Sequence, residues 1–126
     1  MGVEIVWGDA NEFEPSEEYF GAFWQYPNSS GAIIDYKKVA KKCNISDVKV
    51  AVAADLLSLT LLEAPGLWGA DVVLGSTQRF GIPMGFGGPH AAYFASKEEF
   101  KRFMPGRIIG RTIDKDGNPA LRMALQ

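Results

Sequence analysis

The segment from residue 75 to residue 90 has the composition best suited to ligand chemistry. Five of its sixteen residues are glycine, and it follows residues 71–74, where three apolar residues after Asp71 predict a buried strand. In an open α/β sheet, ligands bind beyond the carboxyl ends of the strands, where glycines let backbone amides approach an anion. The segment is therefore a candidate phosphate-binding loop. Its spacing matches neither the Rossmann fingerprint nor a P-loop, so the glycines could instead let a helix or a second subunit pass closely.

Asp55 is the second residue with chemical potential, because it ends the apolar run 50–54. A carboxylate in such a position must find hydrogen-bond donors, since an unpaired buried charge costs several kcal/mol, roughly. Two roles stay open on the residues alone. Asp55 could be the counter-ion of a protonated ring nitrogen, or it could cap a helix predicted over residues 56–62. The residues by themselves favour the cap.

Metal and nucleophile chemistry find little support in this sequence. His90 is the only histidine and Cys43 the only cysteine, and no cluster of acidic residues accompanies either of them. Ordinary metal sites need three or four ligands, so we predict no metal site. Ser76 and Thr77 lack the Gly-x-Ser-x-Gly setting of a nucleophile elbow. We therefore expect no catalytic residue of these classes within the chain.

The elements that must position the glycine-rich segment and Asp55 alternate between strands and helices. Alternating or continuous apolar runs predict strands, and apolar residues at helical spacing predict helices. Residue 96, a serine, and residue 99, a glutamate, have the spacing of a capping box for the last helix. This order predicts an α/β fold with three α/β/α layers and a mainly parallel sheet. The predicted strands are 3–7, 22–26, 48–54, 71–74 and 91–95; the predicted helices are 35–43, 56–62 and 97–103, with a helical turn at 16–18.

Composition bounds the class of protein. The chain has 126 residues, of which 47% are apolar and 22% charged, and its formal net charge is −2. That charge offers no footprint for nucleic acid, and the absence of a long apolar run predicts no membrane partner. The length suits one folding unit, and the apolar pattern of residues 120–126 suggests that the unit continues further. We therefore expect a single partial domain over residues 1–126, in a reduced, intracellular setting.

Several motifs occur together in one order, and together they resemble a known family. Across nearly the whole chain they resemble the N-terminal half of the P-protein (glycine decarboxylase) family of the glycine cleavage system. The motifs are Gln25-Tyr26-Pro27, Ala54-Asp55-Leu56-Leu57-Ser58, Trp68-Gly69-Ala70-Asp71, Gln78-Arg79-Phe80-Gly81-Ile82-Pro83, Gly85-Phe86-Gly87-Gly88-Pro89-His90 and Pro105-Gly106-Arg107-Ile108-Ile109-Gly110.

The resemblance implies part of the large domain of a fold-type I pyridoxal-phosphate-dependent transferase. Its members decarboxylate glycine with the cofactor as electron sink and pass the aminomethyl group to the lipoyl arm of H-protein. The implied partners are glycine, lipoylated H-protein and the C-terminal half or second subunit of the same enzyme. The implied cofactor contacts, for this half or for the partner half's site, are Asp55, Thr77, Gln78, Gly87, Gly88 and His90.

One departure from the family pattern affects catalysis. The family's catalytic half carries a Schiff-base lysine before an Ile-Pro step, and here Gln78 or Arg79 stands at that position, depending on the direction of counting. Neither side chain forms an imine. The resemblance therefore implies that this fragment is inactive alone, with the alternative that it is a noncatalytic scaffold that completes the partner half's site and docks H-protein. The expected compartment is the bacterial cytoplasm, or the mitochondrial matrix in a eukaryote.

Overall fold

The computed structural model describes residues 2–123, which form two compact units divided after Ser96. The first unit holds a four-stranded sheet and one α-helix, and the second holds a two-stranded sheet. The prediction of one partial domain over residues 1–126 stays a prediction. The elements are β1 (Gly21–Tyr26), α1 (Lys37–Ile45), β2 (Lys49–Ala54), β3 (Val72–Ser76), β4 (Ala92–Ser96), β5 (Ile109–Ile113) and β6 (Pro119–Met123).

The sheet of the first unit has the order β1-β2-β3-β4. Strands β1, β2 and β3 are parallel, and β4 runs antiparallel to β3. Helix α1 connects β1 to β2, which is the crossover that two adjacent parallel strands require. The predicted α/β class and mainly parallel sheet are confirmed. Because the first three strands are parallel, the loops that follow them meet at one edge of the sheet, which we call the carboxyl edge.

The core lies between α1 and one face of the sheet. Helix α1 buries Val39, Ala40 and Cys43 on the stripe that helical spacing predicts. Strand β2 buries every second residue, Val50, Val52 and Ala54, which are at most 3% exposed. The sequence run suggested a strand covered on both faces, but among residues 2–96 only one face carries a helix.

The opposite face of the sheet is apolar and open in the described part of the first unit. Phe23 is 64% exposed and Phe94 45% exposed. The strand register puts both residues on the same face of the sheet as the half-buried side chains of Ala51, Val72 and Leu74. A second helical layer of the expected three-layer arrangement would pack on this face.

Some local predictions were wrong. Residues 3–7 form no strand and their apolar side chains are exposed, because no neighbouring strand of the described chain pairs with them. The predicted helix 56–62 is only a 3-10 turn at Ser58–Thr60. The predicted helix 97–103 is also a 3-10 segment, Glu98–Phe103, preceded by Lys97 and without a side-chain cap, so the capping box does not form. Residues 16–18 form a turn, closed by a 3.1 Å bond from the Tyr19 amide to the Ser16 carbonyl.

The second unit contains an antiparallel hairpin of β5 and β6. Asp114 organises its turn: the carboxylate accepts the backbone N–H groups of Asp116 at 2.9 Å and Asn118 at 2.8 Å. The hydrogen bond from the Asn118 backbone is the main reason that the pKa of Asp114 is lowered.

The last three residues of the apolar pattern 120–126 lie outside the described residues. No helix among residues 2–123 is long and apolar enough to cross a membrane.

Candidate functional site

The carboxyl edge brings Asp55 and Arg79 together. Asp55 follows β2 directly, and Arg79 lies in the 3-10 turn Gln78–Phe80 that follows β3. Because β2 and β3 are adjacent and parallel, these two loops are neighbours although the residues are 24 positions apart. The Arg79 guanidinium donates to Asp55 Oδ2 and forms an ion pair with it. The strongest candidate carboxylate of the sequence is therefore already neutralised by the chain itself.

Asp55 does not cap a helix, because the predicted helix 56–62 does not form, but its side chain organises the turn that replaces it. Its Oδ1 accepts the backbone N–H of Leu57 at 3.1 Å. Its carbonyl accepts the Ser58 backbone N–H at 3.0 Å and the Ser58 hydroxyl at 2.7 Å. The side chain is 22% exposed, so it meets solvent only in part. One oxygen thus organises the following turn, and the other pairs with Arg79 in place of a ring nitrogen.

Thr77 and Gln78 are fixed at this edge by backbone hydrogen bonds. The Thr77 N–H donates to the Ala91 carbonyl at 3.0 Å, which continues the β3–β4 pairing by one residue. The Gln78 N–H donates to the Ser76 hydroxyl at 3.1 Å. Gly81 ends the turn with a φ of 100°, in the left-handed region that favours glycine. Both candidates therefore lie in the loop that carries Arg79.

Gly87 and Gly88 belong to a separate tight turn. The Gly87 N–H donates to the Met84 carbonyl at 3.0 Å, and the Gly88 N–H donates to the Gly85 carbonyl at 2.9 Å. A Cβ on Gly88 would lie 2.7 Å from the Gly85 carbonyl oxygen, so this turn requires glycine there. The two amides that a phosphate would need are occupied within the turn. The glycines thus serve the backbone path in this conformation.

Phe86 and His90 flank these glycines on the surface. Phe86 adopts a φ of 55°, which is unusual for an aromatic residue, and its side chain is fully exposed. His90 is also exposed, and no hydrogen bond or ion pair joins it to Asp55 among the described residues. The resemblance grouped His90 with the other candidates, and no hydrogen bond or ion pair of the described residues links it to them.

Sequence reasoning missed a close-packed row beside Asp55. The register aligns Tyr26 with Ala54, and Gly75 with Tyr93. The Tyr93 hydroxyl donates to the Ala54 carbonyl at 2.7 Å, and burial is the main cause that raises the pKa of Tyr93. A Cβ on Gly75 would lie 2.2 Å from the Ala54 carbonyl oxygen. A glycine inside an apolar strand, followed along the chain by a tyrosine on the next strand, was the only sequence signal for this contact.

Asp71 was also missed, because the sequence presents it as the start of a strand. It is 5% exposed, and its Oδ2 accepts the Val50 backbone N–H at 2.7 Å while its own N–H donates to the Val50 carbonyl at 2.8 Å. These two bonds extend the β2–β3 pairing beyond Val72. Asp71 therefore supports the sheet from the end opposite to Asp55.

Pyridoxal phosphate, which the resemblance implies, requires a lysine for its imine, a carboxylate free to meet the ring nitrogen and donors for the phosphate. In the first unit the lysines lie on α1 and at Lys49, which begins β2 and is about 20 Å from the end that carries Asp55. The Asp55 carboxylate is paired, and the amides of Gly87 and Gly88 are bonded within their turn. Taken alone, these residues do not fit the cofactor.

No group of three or more His, Cys, Asp or Glu side chains in residues 2–123 could hold a metal ion.

Comparisons with known proteins agree over the whole chain. A family model described as glycine cleavage system P-protein matches residues 1–126. Proteins named glycine dehydrogenase (decarboxylating) from Christiangramia forsetii and Nostoc punctiforme are 62% and 57% identical over 126 residues. These alignments cover all of this chain but only 13% of either relative, so the chain spans about an eighth of their length.

A solved structure gives the same family. The crystal structure of glycine decarboxylase (P-protein) of the glycine cleavage system, in inhibitor-bound form, matches with a TM-score of 0.83 and 39% sequence identity. The match covers 90% of this chain and 26% of that one, and it supports the fold-type I assignment of the α/β sheet. Sequence and structure thus agree that the chain belongs to the glycine cleavage system P-protein family.

Proposed function

We propose that this chain is a segment of a pyridoxal-phosphate-dependent glycine dehydrogenase (decarboxylating). In the longer protein, glycine is decarboxylated and its aminomethyl group passes to the lipoyl arm of H-protein. The family match over residues 1–126 and the names of relatives up to 62% identical support this activity. The partners of the segment are then the remainder of the same enzyme, lipoylated H-protein and glycine.

Within that enzyme, the segment supports catalysis without carrying the imine. The ion pair between Asp55 and Arg79 is the observation on which this role depends. A guanidinium cannot form an imine, and here it also occupies the carboxylate that would otherwise meet a protonated ring nitrogen. The segment alone is therefore inactive.

A scaffold role is the second candidate function, and one specific observation favours it. The sheet face that carries Phe23 and Phe94 is apolar and open in the described part of the first unit. Exposed apolar surface of this kind commonly marks a contact with further protein. In this role the segment pairs with the catalytic half, helps complete its active site and contributes to docking H-protein. Only this second role requires the glycine-rich turn to affect the cofactor.

The first experiment tests the isolated 126-residue chain. Pyridoxal phosphate and glycine are added, the visible absorbance is recorded, and borohydride reduction followed by peptide mass spectrometry locates any covalent adduct. We expect no saturable absorbance band and no lysine modified beyond the background of a denatured sample. A stoichiometric adduct at one lysine would show instead that the segment holds an active site of its own.

The second experiment tests the glycine-rich turn in the full-length enzyme. Gly87→Ala and Gly117→Ala form a matched pair: both glycines have a φ near +85° and neither has an atom within 4 Å of an added Cβ. The two variants therefore carry similar backbone strain. We expect Gly87→Ala alone to weaken cofactor affinity and slow glycine decarboxylation. Equal behaviour of the two variants would contradict a contribution of the glycine-rich turn to the cofactor site.

The compartment is a separate proposal. The relatives at 62% and 57% identity come from Christiangramia forsetii and Nostoc punctiforme, which supports the bacterial alternative. We therefore propose the bacterial cytoplasm as the location. Fractionation of the source cells, with detection of the full-length enzyme, tests it.

A further inference from the structure

A pocket of about 190 Å³ lies beside the carboxyl end of β1, apart from the loop that carries Arg79. Three aromatic side chains form its walls, and two carboxylates and one ammonium group lie around them. None of these residues belongs to the cofactor candidates named above. The pocket is lined by Tyr26, Tyr36, Trp68, Asp35, Lys37 and Glu63, with two isoleucines.

The aromatic walls are packed firmly enough to hold a defined shape. Tyr26 meets Trp68 edge to face at 5.9 Å between ring centroids, and Tyr36 lies 6.0 Å from Trp68. Tyr36 is fixed by its own hydroxyl, which donates to the Gln25 carbonyl at 3.1 Å. Such rings present electron-rich faces, which attract a cationic group.

The Tyr26 hydroxyl is a polar group that remains available in the pocket. Tyr26 is only 7% exposed, and no hydrogen bond joins its hydroxyl to residues 2–123. No fully buried side-chain polar atom of the described residues lacks a partner, so this hydroxyl reaches the open space of the pocket, where a ligand can meet it. Burial, followed by the charge of Glu63, raises the pKa of Tyr26. The hydroxyl therefore keeps its proton and can both donate and accept.

Charges of both signs face this hydroxyl. Lys37 Nζ lies 2.5 Å from Glu63 Oε2, and both side chains remain about half exposed. Asp35 stands beside them, with its Oδ1 accepting the Lys37 backbone N–H at 3.1 Å. An exposed ion pair of this kind contributes little to stability, so a ligand that offers each partner a new counter-ion can separate it at low cost.

We propose that this pocket binds a small zwitterionic amino acid, with its carboxylate held by Lys37 and the Tyr26 hydroxyl, and its ammonium held by Glu63 and Asp35 against the aromatic walls. A simple cation would leave Lys37 without a partner, and a simple anion would leave Glu63 without one. A zwitterion satisfies both, and the volume accommodates a molecule of only a few heavy atoms. The inference goes beyond the proposed function and stands without it, because no residue of the pocket takes part in the Asp55–Arg79 pair.

The experiment follows the indole ¹⁵N–¹H signal of Trp68 in the 126-residue chain during titration with glycine, methylammonium chloride or sodium acetate, in the absence of pyridoxal phosphate. We expect a saturable shift with glycine. Methylammonium and acetate should each bind at least about ten-fold more weakly than glycine, because each lacks one charge-assisted contact. Equal binding of methylammonium and glycine would contradict the proposal by showing a simple cation site.

Matched variants separate the contacts from general effects. Tyr26→Phe keeps the ring and should weaken glycine binding about ten-fold or more, because it removes a hydrogen bond to a charged carboxylate. Tyr19→Phe, outside the pocket, is its control. Lys37→Gln and Glu63→Gln should also weaken binding, whereas Asp47→Asn on the surface should leave it unchanged. Circular dichroism establishes whether each variant folds. If Tyr26→Phe does not fold, Lys37→Gln and Glu63→Gln still test the proposal.

The absence of a saturable shift with glycine would overturn the proposal. The same conclusion would follow if Tyr26→Phe, Lys37→Gln and Glu63→Gln all bound glycine as the unchanged chain does. Neither result depends on decarboxylation, so failure of this inference is distinguishable from failure of the proposed function.

Discussion

Arg79 reaches from the turn after β3 to the carboxylate of Asp55 after β2, and the two side chains form an ion pair across 24 residues of sequence. The arginine is 64% exposed and the aspartate 22% exposed. Solvent screens a pair of this kind, so its net contribution to stability is small. Its main consequence is electrostatic: the carboxyl edge offers no unpaired charge at this point.

A double-mutant cycle of Arg79→Ala and Asp55→Ala should give a coupling free energy below about 1 kcal/mol. Urea unfolding of the four proteins, followed by circular dichroism, measures it. The exposed pair of Lys42 and Glu14 provides a reference of the same charge type. A coupling several times larger than that of the reference pair would mean that the Asp55–Arg79 pair is far better shielded from solvent than its exposure indicates.

Gly75→Ala should destabilise the first unit by about 3 kcal/mol or more, because the new methyl group would lie 2.2 Å from the Ala54 carbonyl oxygen and 2.8 Å from the Tyr93 ring. Gly66→Ala is the matched control, since nothing lies within 4 Å of a Cβ there. Urea midpoints of both variants test the prediction. Similar midpoints for the two would show that β3 and β4 separate easily at this row.

Asp71→Ala should cost about 1.5–3 kcal/mol, since it leaves the buried N–H of Val50 without the carboxylate that accepts it at 2.7 Å. Asp71→Asn keeps an acceptor oxygen and should cost less. Thermal or urea unfolding distinguishes the two variants. If both lose the same stability, the charge of Asp71 matters more than the hydrogen bond to Val50.

Stability should fall as the pH rises above 9. Cys43 is fully buried, and that burial raises the pKa of its thiol from 9.0 to about 11. The unfolded chain then loses the thiol proton before the folded chain does, so the free energy of unfolding decreases by roughly 1.4 kcal/mol per pH unit between about pH 9 and pH 11. Below pH 9 the thiol is protonated in both states and contributes no slope.

Urea unfolding at pH 8, 9 and 10 measures this slope, and Cys43→Ala is the control because it removes the titrating group. The variant should be less stable at pH 8 but should lose less with rising pH. Identical slopes for the two proteins would assign the pH dependence to other groups, such as the tyrosines whose pKa values are also raised.

Much of the fold could be predicted from local patterns. The helical spacing of apolar residues on α1 and the apolar run of β2 gave elements that differ from the observed ones by two residues or fewer at each end. The predictions failed where the local signal was ambiguous. Residues 3–7 have strand-forming side chains but no partner strand among the described residues, and Ser96 has the spacing of a cap without forming its hydrogen bond.

The sequence by itself determined which residues could form the core and which segment could carry chemistry, because helical and strand periodicity and glycine content are properties of neighbouring residues. The motifs also determined the family. Only the tertiary structure decided that Arg79 neutralises Asp55, that Gly75 makes room for Tyr93, and that the Tyr26 hydroxyl faces a pocket without a partner. Each of these arrangements involves residues from different elements, and the strand order β1-β2-β3-β4 brings those elements together, which no local pattern specifies.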